Sequence, residues 1–261
     1  MPLAVYQVDA FTDRLFSGNP AAICPLETWL PDHVMQSIAA ENNLAETAFF
    51  VPEGDAYRLR WFTPKVEVDL CGHATLASAS VLFTRLTPAA TSVRFLTRSG
   101  ELIVRRDADL LRMDFPSRPP IPCPPNAKLM EALGGQPEEI LGARDYLVVY
   151  RSEDEVRALK PNMQLLCDID RFAVIVTGPG KDCDFVSRFF APSKGVPEDP
   201  VTGSAHCTLI PYWSKRLGKN RLHARQVSER GGELWCEDRG DRVSMAGKAV
   251  CFLEGAIHLN A

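Results

Sequence analysis

The sequence predicts an α+β protein of two similar domains, each a curved, mostly antiparallel sheet wrapped around a central buried helix. Three observations carry that reading. First, the chain repeats itself. WFTPKVEVDLCGHATLASA, from residue 61, and FFAPSKGVPEDPVTGSAHCTL, from residue 189, share Phe-x-Pro, an acidic residue and Gly-x-Ala opening a run of small residues. Phe62 matches Phe190, Pro64 matches Pro192 and Gly72 matches Gly203, the glycines lying 131 residues apart. RSGEL at 98–102 returns as RGGEL at 230–234, and Met113 as Met245, both 132 residues on. Two copies are too few for a solenoid, so duplicated domains are expected. Second, FPSRPPIPCPPN at 115–126 holds six prolines in twelve positions. Such a stretch continues neither a helix nor a central strand. Third, each copy carries one apolar helix with short strand-like runs around it. The expected domains are residues 1–115 and 127–261, with a proline-rich linker at 116–126 and the last strand free to pack on the first domain.

In chain order, Ala4–Val8, Ala21–Cys24, Thr47–Val51 and Tyr57–Phe62 have the β-branched and aromatic content of strands. Pro31-Asp32 opens a helix reaching about Glu41. Gly72–Phe83 is apolar almost all round, which predicts a buried helix. Ser99-Gly100 is a hairpin turn pair. The second copy follows with strands at Tyr146–Tyr150, Phe172–Val176 and Phe185–Phe189, the buried helix at Gly203–Leu217, and strands around Gly231-Gly232.

Composition removes several classes of function. The 261 residues are 46% hydrophobic and 24% charged, with a net charge of -4. That balance argues against a nucleic-acid surface. No apolar run approaches the ~18–20 residues of a membrane helix, and MPLAVYQVDAF lacks a signal peptide's basic start. No membrane partner is expected, and the expected location is cytoplasmic. The eight cysteines include no Cys-x-x-Cys, which predicts that most of them are reduced and buried. TGPGK at 177–181 lacks the spacing of a phosphate loop and reads as a turn. No zinc-type ligand spacing is present, so neither a metal nor an organic cofactor is expected.

The starts of the two buried helices are the strongest candidates for a site. The first amides of a helix lack internal partners and sit at the positive end of its dipole. Glycine there lets an anion approach the backbone. Gly72-His73 and Gly203-Ser204 are thus expected to hold a small carboxylate, in a cleft between facing domains. Cys71 precedes the first of these N-termini, a position that lowers a thiol pKa. A two-thiol racemase needs a second cysteine ahead of Gly203, and the residues aligned with it, Asp199, Pro200 and Val201, are not cysteine.

DAFTDRLFSGNPAAI, NNLAETAFF, VDLCGHATLA and EDPVTGSAH, taken together and in this order, resemble the phenazine-biosynthesis PhzF-like family. The resemblance implies the diaminopimelate-epimerase fold and cofactor-independent isomerisation by proton transfer, often in a homodimer. It implies that Glu46 is the catalytic glutamate and that His73 is the histidine of the Gly-His block. Asp199 and Ser204 match the polar residues of the Asp-Pro-x-x-Gly-Ser block. Ser17, Gly18 and Asn19 match a stretch near the cleft.

The functional expectation is an isomerase that moves a carbon-bound proton on a small carboxylated metabolite. Glu46, His73 and Asp199 are its catalytic residues, and Gly72, His73, Gly203, Ser204, Ser17, Gly18 and Asn19 bind substrate. Two other readings stand beside it: an amino-acid epimerase using Cys71, and a non-catalytic metabolite-binding protein on the same fold. Solvent deuterium incorporation separates the third from the other two.

Overall fold

The computed structural model describes residues 2–124 and 126–259; Pro125 of the proline-rich stretch and both chain ends lie outside it. The chain forms two compact units, Met1–Asp114 with Ala246–Ala261, and Phe115–Met245.

The first unit contains β1 (Leu3–Ala10), β2 (Asn19–Pro25), α1 (Asp32–Asn42), β3 (Glu46–Glu53), β4 (Ala56–Phe62), β5 (Glu67–Val68), α2 (Gly72–Val81), β6 (Ser92–Thr97), β7 (Gly100–Asp107) and β8 (Leu110–Pro116). β1 pairs antiparallel with β2, and β2 runs parallel to β3. β4 pairs antiparallel with β3 and β5 and parallel with β6. β6, β7 and β8 form a meander. Each parallel pair encloses a helical crossover, α1 between β2 and β3 and α2 between β4 and β6, as parallel pairing requires.

α2 is the centre of this unit. His73 through Val81 are all buried, because Ala, Ser, Leu and Val leave no polar face to turn outward. Its small residues let it approach β1, β2 and β3 closely. The hydroxyls that this burial strands find local carbonyls: Thr75 donates to Cys71 O at 2.6 Å and Ser78 to Ala74 O at 2.7 Å. The helix expected to reach Phe83 widens after Val81 into a π-turn at Leu82–Leu86, where Thr87 N–H donates to Leu82 O five residues back. α1 covers the other side with Met35, Ile38 and Ala39 against Cys24, Phe49 and Phe62.

The second unit contains β9 (Ile121–Pro122), α3 (Ala127–Leu133), β10 (Glu139–Gly142), β11 (Tyr146–Val149), α4 (Glu153–Ala158), α5 (Met163–Leu166), β12 (Val174–Pro179), β13 (Phe185–Ala191), β14 (Val196–Asp199), α6 (Gly203–Leu217), β15 (Arg221–Gln226) and β16 (Gly232–Asp238). β17 (Arg242–Gly247) leads to β18 (Ala249–Ile257), which pairs antiparallel with β1 in the first unit. Pairing repeats step for step. β10 is antiparallel to β11, β11 parallel to β12, and β12 antiparallel to β13. β13 is antiparallel to β14 and parallel to β15, and β15 is antiparallel to β16. The 131-residue repeat is therefore a repeat of strand order, with α6 in the place of α2.

Where the sequence places a linker, the chain is part of the second unit. Ile121 and Pro122 pair with β10, while Ser117 N–H donates to Asp241 O and Arg118 N–H to Cys207 O. Proline bars a central strand but not an edge strand, and β9 is a two-residue edge. The first three residues of TGPGK are not a turn but the end of β12, paired with Phe185–Ser187 of β13; the chain leaves the strand only at Gly180-Lys181, with Lys181 tied to Glu153 and Asp154. Among the described residues no helix is long and apolar enough to cross a membrane.

Candidate active site

Three chain segments begin at the same end of the first unit: β2 at Asn19, β3 at Glu46 and α2 at Gly72. The parallel register of β2 and β3, with Ala21 opposite Glu46, brings the first two starts together. The loop into β2 is tightly constrained. Phe11, Phe16 and Gly18 all have positive φ, and a Cβ on Gly18 would lie 2.2 Å from Ala10 O. Gly18 is thus a conformational requirement that sets Asn19 at the head of its strand. Gly18→Ala is expected to lower unfolding free energy by roughly 2 kcal/mol or more, read from urea midpoints.

Half-buried Glu46 and buried Asn19, Cys71 and His73 form one cluster. His73 Nε2 lies 3.0 Å from Glu46 Oε2. The pair is within ion-pair reach but off the alignment of a hydrogen bond, so buried Oε2 keeps no aligned donor. On the other side of the ring, Nδ1 is 3.2 Å from the Asn19 amide and 3.5 Å from Cys71 Sγ. An amide presents nitrogen to a bare Nδ1 or oxygen to an Nδ1 that carries a proton. With the amide nitrogen on Nδ1, or with a charged ring, Nε2 carries a proton, which lies beside Glu46 Oε2 without hydrogen-bond alignment.

Burial opposes charge on His73, but the acidic groups beside it, Cys71 and Glu46, outweigh burial and hold its pKa well above the ordinary 6.5. Burial first, and then the Glu46 carboxylate, push the Cys71 thiol up to about 11. The low-pKa thiol expected at a helix N-terminus is therefore not what the fold makes: desolvation and a neighbouring anion outweigh the helix dipole. Cys71 is a neutral thiol at pH 7, which leaves Glu46 as the charge that favours imidazolium. Cys71→Ser is accordingly expected to keep activity within about tenfold of wild type, since no thiolate is lost. A loss of several orders of magnitude in a folded variant would mark Cys71 as an essential acid or base.

In the second unit Asp199, Gly203 and Ser204 gather at the start of α6. Asp199 Oδ2 accepts from Thr202 Oγ1 at 2.5 Å. Gln226, at the end of β15, donates to Asp199 O at 2.7 Å and to Thr202 Oγ1 at 3.1 Å, and accepts from Thr202 N–H at 2.8 Å. Ser204 Oγ accepts from Arg144 at 3.2 Å. Thr202 does not cap its helix, and the α2 N-cap is a cysteine. Neither N-cap side chain thus occupies the first amides of its helix, the groups an anion-binding N-terminus uses.

The repeat identifies the residue in the second thiol's place. Cys71 directly precedes Gly72, and Thr202 directly precedes Gly203. The equivalent is therefore Thr202, not Asp199, Pro200 or Val201; the insertion between the Phe and Gly anchors obscured a register that the glycines alone define. One turn further on, Thr75 Oγ1 donates to Cys71 O, and His206 Nδ1 takes the same bond to Thr202 O at 2.8 Å. His206 is thus a core residue fastening its own helix. Thr202, Gln226 and Arg144 were not singled out in the sequence; the repeat could have found Thr202, but nothing in the chain marks Gln226 or Arg144. Ser17 is half-buried on the loop before Asn19.

His206 has a consequence for stability. Burial pushes its pKa down to about 4 from the ordinary 6.5, with the Thr202 carbonyl opposing. Between those values the unfolded chain binds a proton that the folded one refuses. Stability is therefore full above pH 6.5 and falls as pH drops toward 4, by about 3 kcal/mol in all. Urea unfolding across that range checks it, and His206→Thr, which copies Thr75, should flatten the slope.

Among the described residues, one group offers a cation three ligand atoms: Glu46, Cys71 and His73, all within 4.8 Å of one another. Cys71 and His73 are two residues apart, but Glu46 lies 25 residues before Cys71, so spacing along the chain does not reveal the group.

A family model described as phenazine biosynthesis-like protein, PhzC-PhzF, matches residues 8–255. The chain is 54% identical over 259 residues to an uncharacterised isomerase of Pseudomonas aeruginosa, covering 99% of this chain and 100% of the other. The solved PhzF-family phenazine biosynthesis protein of Enterococcus faecalis is 47% identical with a TM-score of 0.97, over 99% of this chain and 100% of that one. A probable proline racemase from Agrobacterium radiobacter, 10% identical with a TM-score of 0.63 over 99% of this chain and 93% of its own, shares the fold alone.

Proposed function

The chain belongs to the PhzC-PhzF family of phenazine biosynthesis-like proteins and is an isomerase of that kind, and we propose that it moves a carbon-bound proton on a small carboxylated metabolite without a cofactor. The observation that carries this reading is Glu46: a buried carboxylate oxygen with no aligned donor, 3.0 Å from a histidine nitrogen that carries a proton. A lone pair held ready in a desolvated site is what a general base needs.

Glu46 takes the proton from one carbon and returns it to another. His73 stays at its side, 3.0 Å away, where imidazolium offsets charge that builds on the substrate. Asn19 holds the far side of the ring and keeps Nε2 aimed at Glu46. The first amides of α2 favour an anionic group on the substrate. Asp199 and Ser204, at the start of α6, are proposed to orient the substrate as well.

The test is a panel of small carboxylic and amino acids incubated with the protein in deuterated water, with mass spectrometry for new C–D bonds. One compound should gain deuterium at a position that does not exchange without protein. A compound that stabilises the protein against heat yet never exchanges would instead support a non-catalytic binding protein.

A further inference from the structure

We propose that Arg144 is a specificity-determining residue of the reaction: together with the Ser204 hydroxyl it receives a carboxylate group of the substrate. The isomerase reading supplies the identity of the ligand, and the geometry lies within the second unit alone.

Arg144 lies between β10 and β11, and its guanidinium is fixed from three directions. Asp145, whose side chain is 1% exposed, accepts from Nε and from Nη2, each at 3.1 Å. Nη2 also donates to Ser204 Oγ at 3.2 Å, in the first turn of α6. Phe172 supports the group from one side, with 4.4 Å between Cζ and the ring centroid. A buried carboxylate loses its paired cation only at large cost, so Asp145 keeps Arg144 in place. The ordering that binding normally exacts from a long side chain is therefore complete before a ligand arrives.

What the group leaves open points to its ligand. A guanidinium has five N–H donors. Asp145 and Ser204 use those on Nε and Nη2, while Nη1 donates to none of the described residues. Ser204 is complementary: its oxygen accepts from Arg144, and its own proton goes to none of the described residues. Two open donors thus flank Nη2, and the two oxygens of a carboxylate match them in number and charge. Lys194, 5.3 Å from the Phe172 centroid, brings a second positive charge beside the same ring. The Arg144 side chain is 36% exposed, so an incoming anion has access to it. Lysine in its place would supply the charge but not the planar fork.

The experiment is an NMR titration of the full-length protein, isotopically labelled at arginine nitrogen, with benzoate and with neutral benzamide at constant ionic strength. The Arg144 Nε–H signal is identified by its loss in Arg144→Lys; if that variant does not fold, the displacement caused by Ser204→Ala identifies it. The signal should shift saturably with millimolar benzoate and stay in place with benzamide. Ser204→Ala should weaken the benzoate titration about fivefold or more. With a compound that exchanges in the deuterium screen, Arg144→Lys keeps a cation for Asp145 and should raise KM about tenfold, with kcat within about threefold of wild type. An Arg144 signal unmoved at tens of millimolar benzoate, an equal response to benzamide, an undiminished titration in Ser204→Ala, or a fall in kcat at unchanged KM would each overturn the proposal. The titration needs no turnover, so failure of the isomerase reading would show separately, as benzoate binding without deuterium exchange in any compound.

Discussion

Glu46→Gln is expected to lower turnover by about 10²–10⁴-fold, the range of a lost general base, while the substrate binds nearly as before. Glutamine keeps the length and one oxygen of the side chain, so it keeps the β3 start and the packing around it. It loses the one property the reaction uses, a basic lone pair on a carboxylate. The split follows from position: the anion-favouring amides of α2 belong to the backbone and are untouched, so KM should change far less than kcat. Glu46→Asp withdraws the carboxylate by one methylene from a contact now at 3.0 Å, and should fall between wild type and glutamine. Turnover near wild type in Glu46→Gln would shift the base to His73 or Asp199.

His73→Gln should cost roughly 10²-fold in kcat and also change the pH profile. In the proposed reaction Glu46 is the base and protonated His73 stands beside it. The His73 pKa is held above its ordinary 6.5 by its acidic neighbours against the effect of burial. The protonated ring therefore persists through neutral pH, and activity should fall as pH rises through that raised value. Glutamine cannot titrate, so the same alkaline limb should vanish from the variant's slower profile. A limb that survives the substitution would belong to another group, Cys71 being the nearest candidate.

Much of the fold was legible in the sequence because duplication writes it twice. Gly203–Leu217 and the strands from Ala4 to Phe62 coincide with α6 and β1 to β4 within a few residues at each end. What local pattern lacks is pairing. β9, β10 and β14 are two to four residues long, too short to show alternation, and form only because neighbouring strands offer free edges. The proline stretch reads as a linker because proline's exclusion from central strands is visible in sequence while an available edge is not.

At the site, the types of residue were readable and their states were not. Glu46 has no distinguishing pattern of its own; only the family-like NNLAETAFF block marked it. Cys71 shows the limit most clearly. A thiol before a helix start suggests an activated nucleophile, yet the fold buries it beside a carboxylate and raises its pKa to about 11. Asn19 reads in the sequence as a substrate-binding residue near the cleft, and the fold shows it 3.2 Å from His73 Nδ1. These contacts depend on three segments starting at one end of a sheet, which no single stretch of sequence records.

The central claim, that Glu46 carries a proton between carbons, is tested most directly with a metabolite that exchanges in the deuterium screen. Wild-type protein and Glu46→Gln, at equal concentration and with matching circular dichroism, are followed by NMR in deuterated water as the C–H signal disappears. The account predicts exchange at least about 100-fold slower in the variant; equal exchange rates would contradict it.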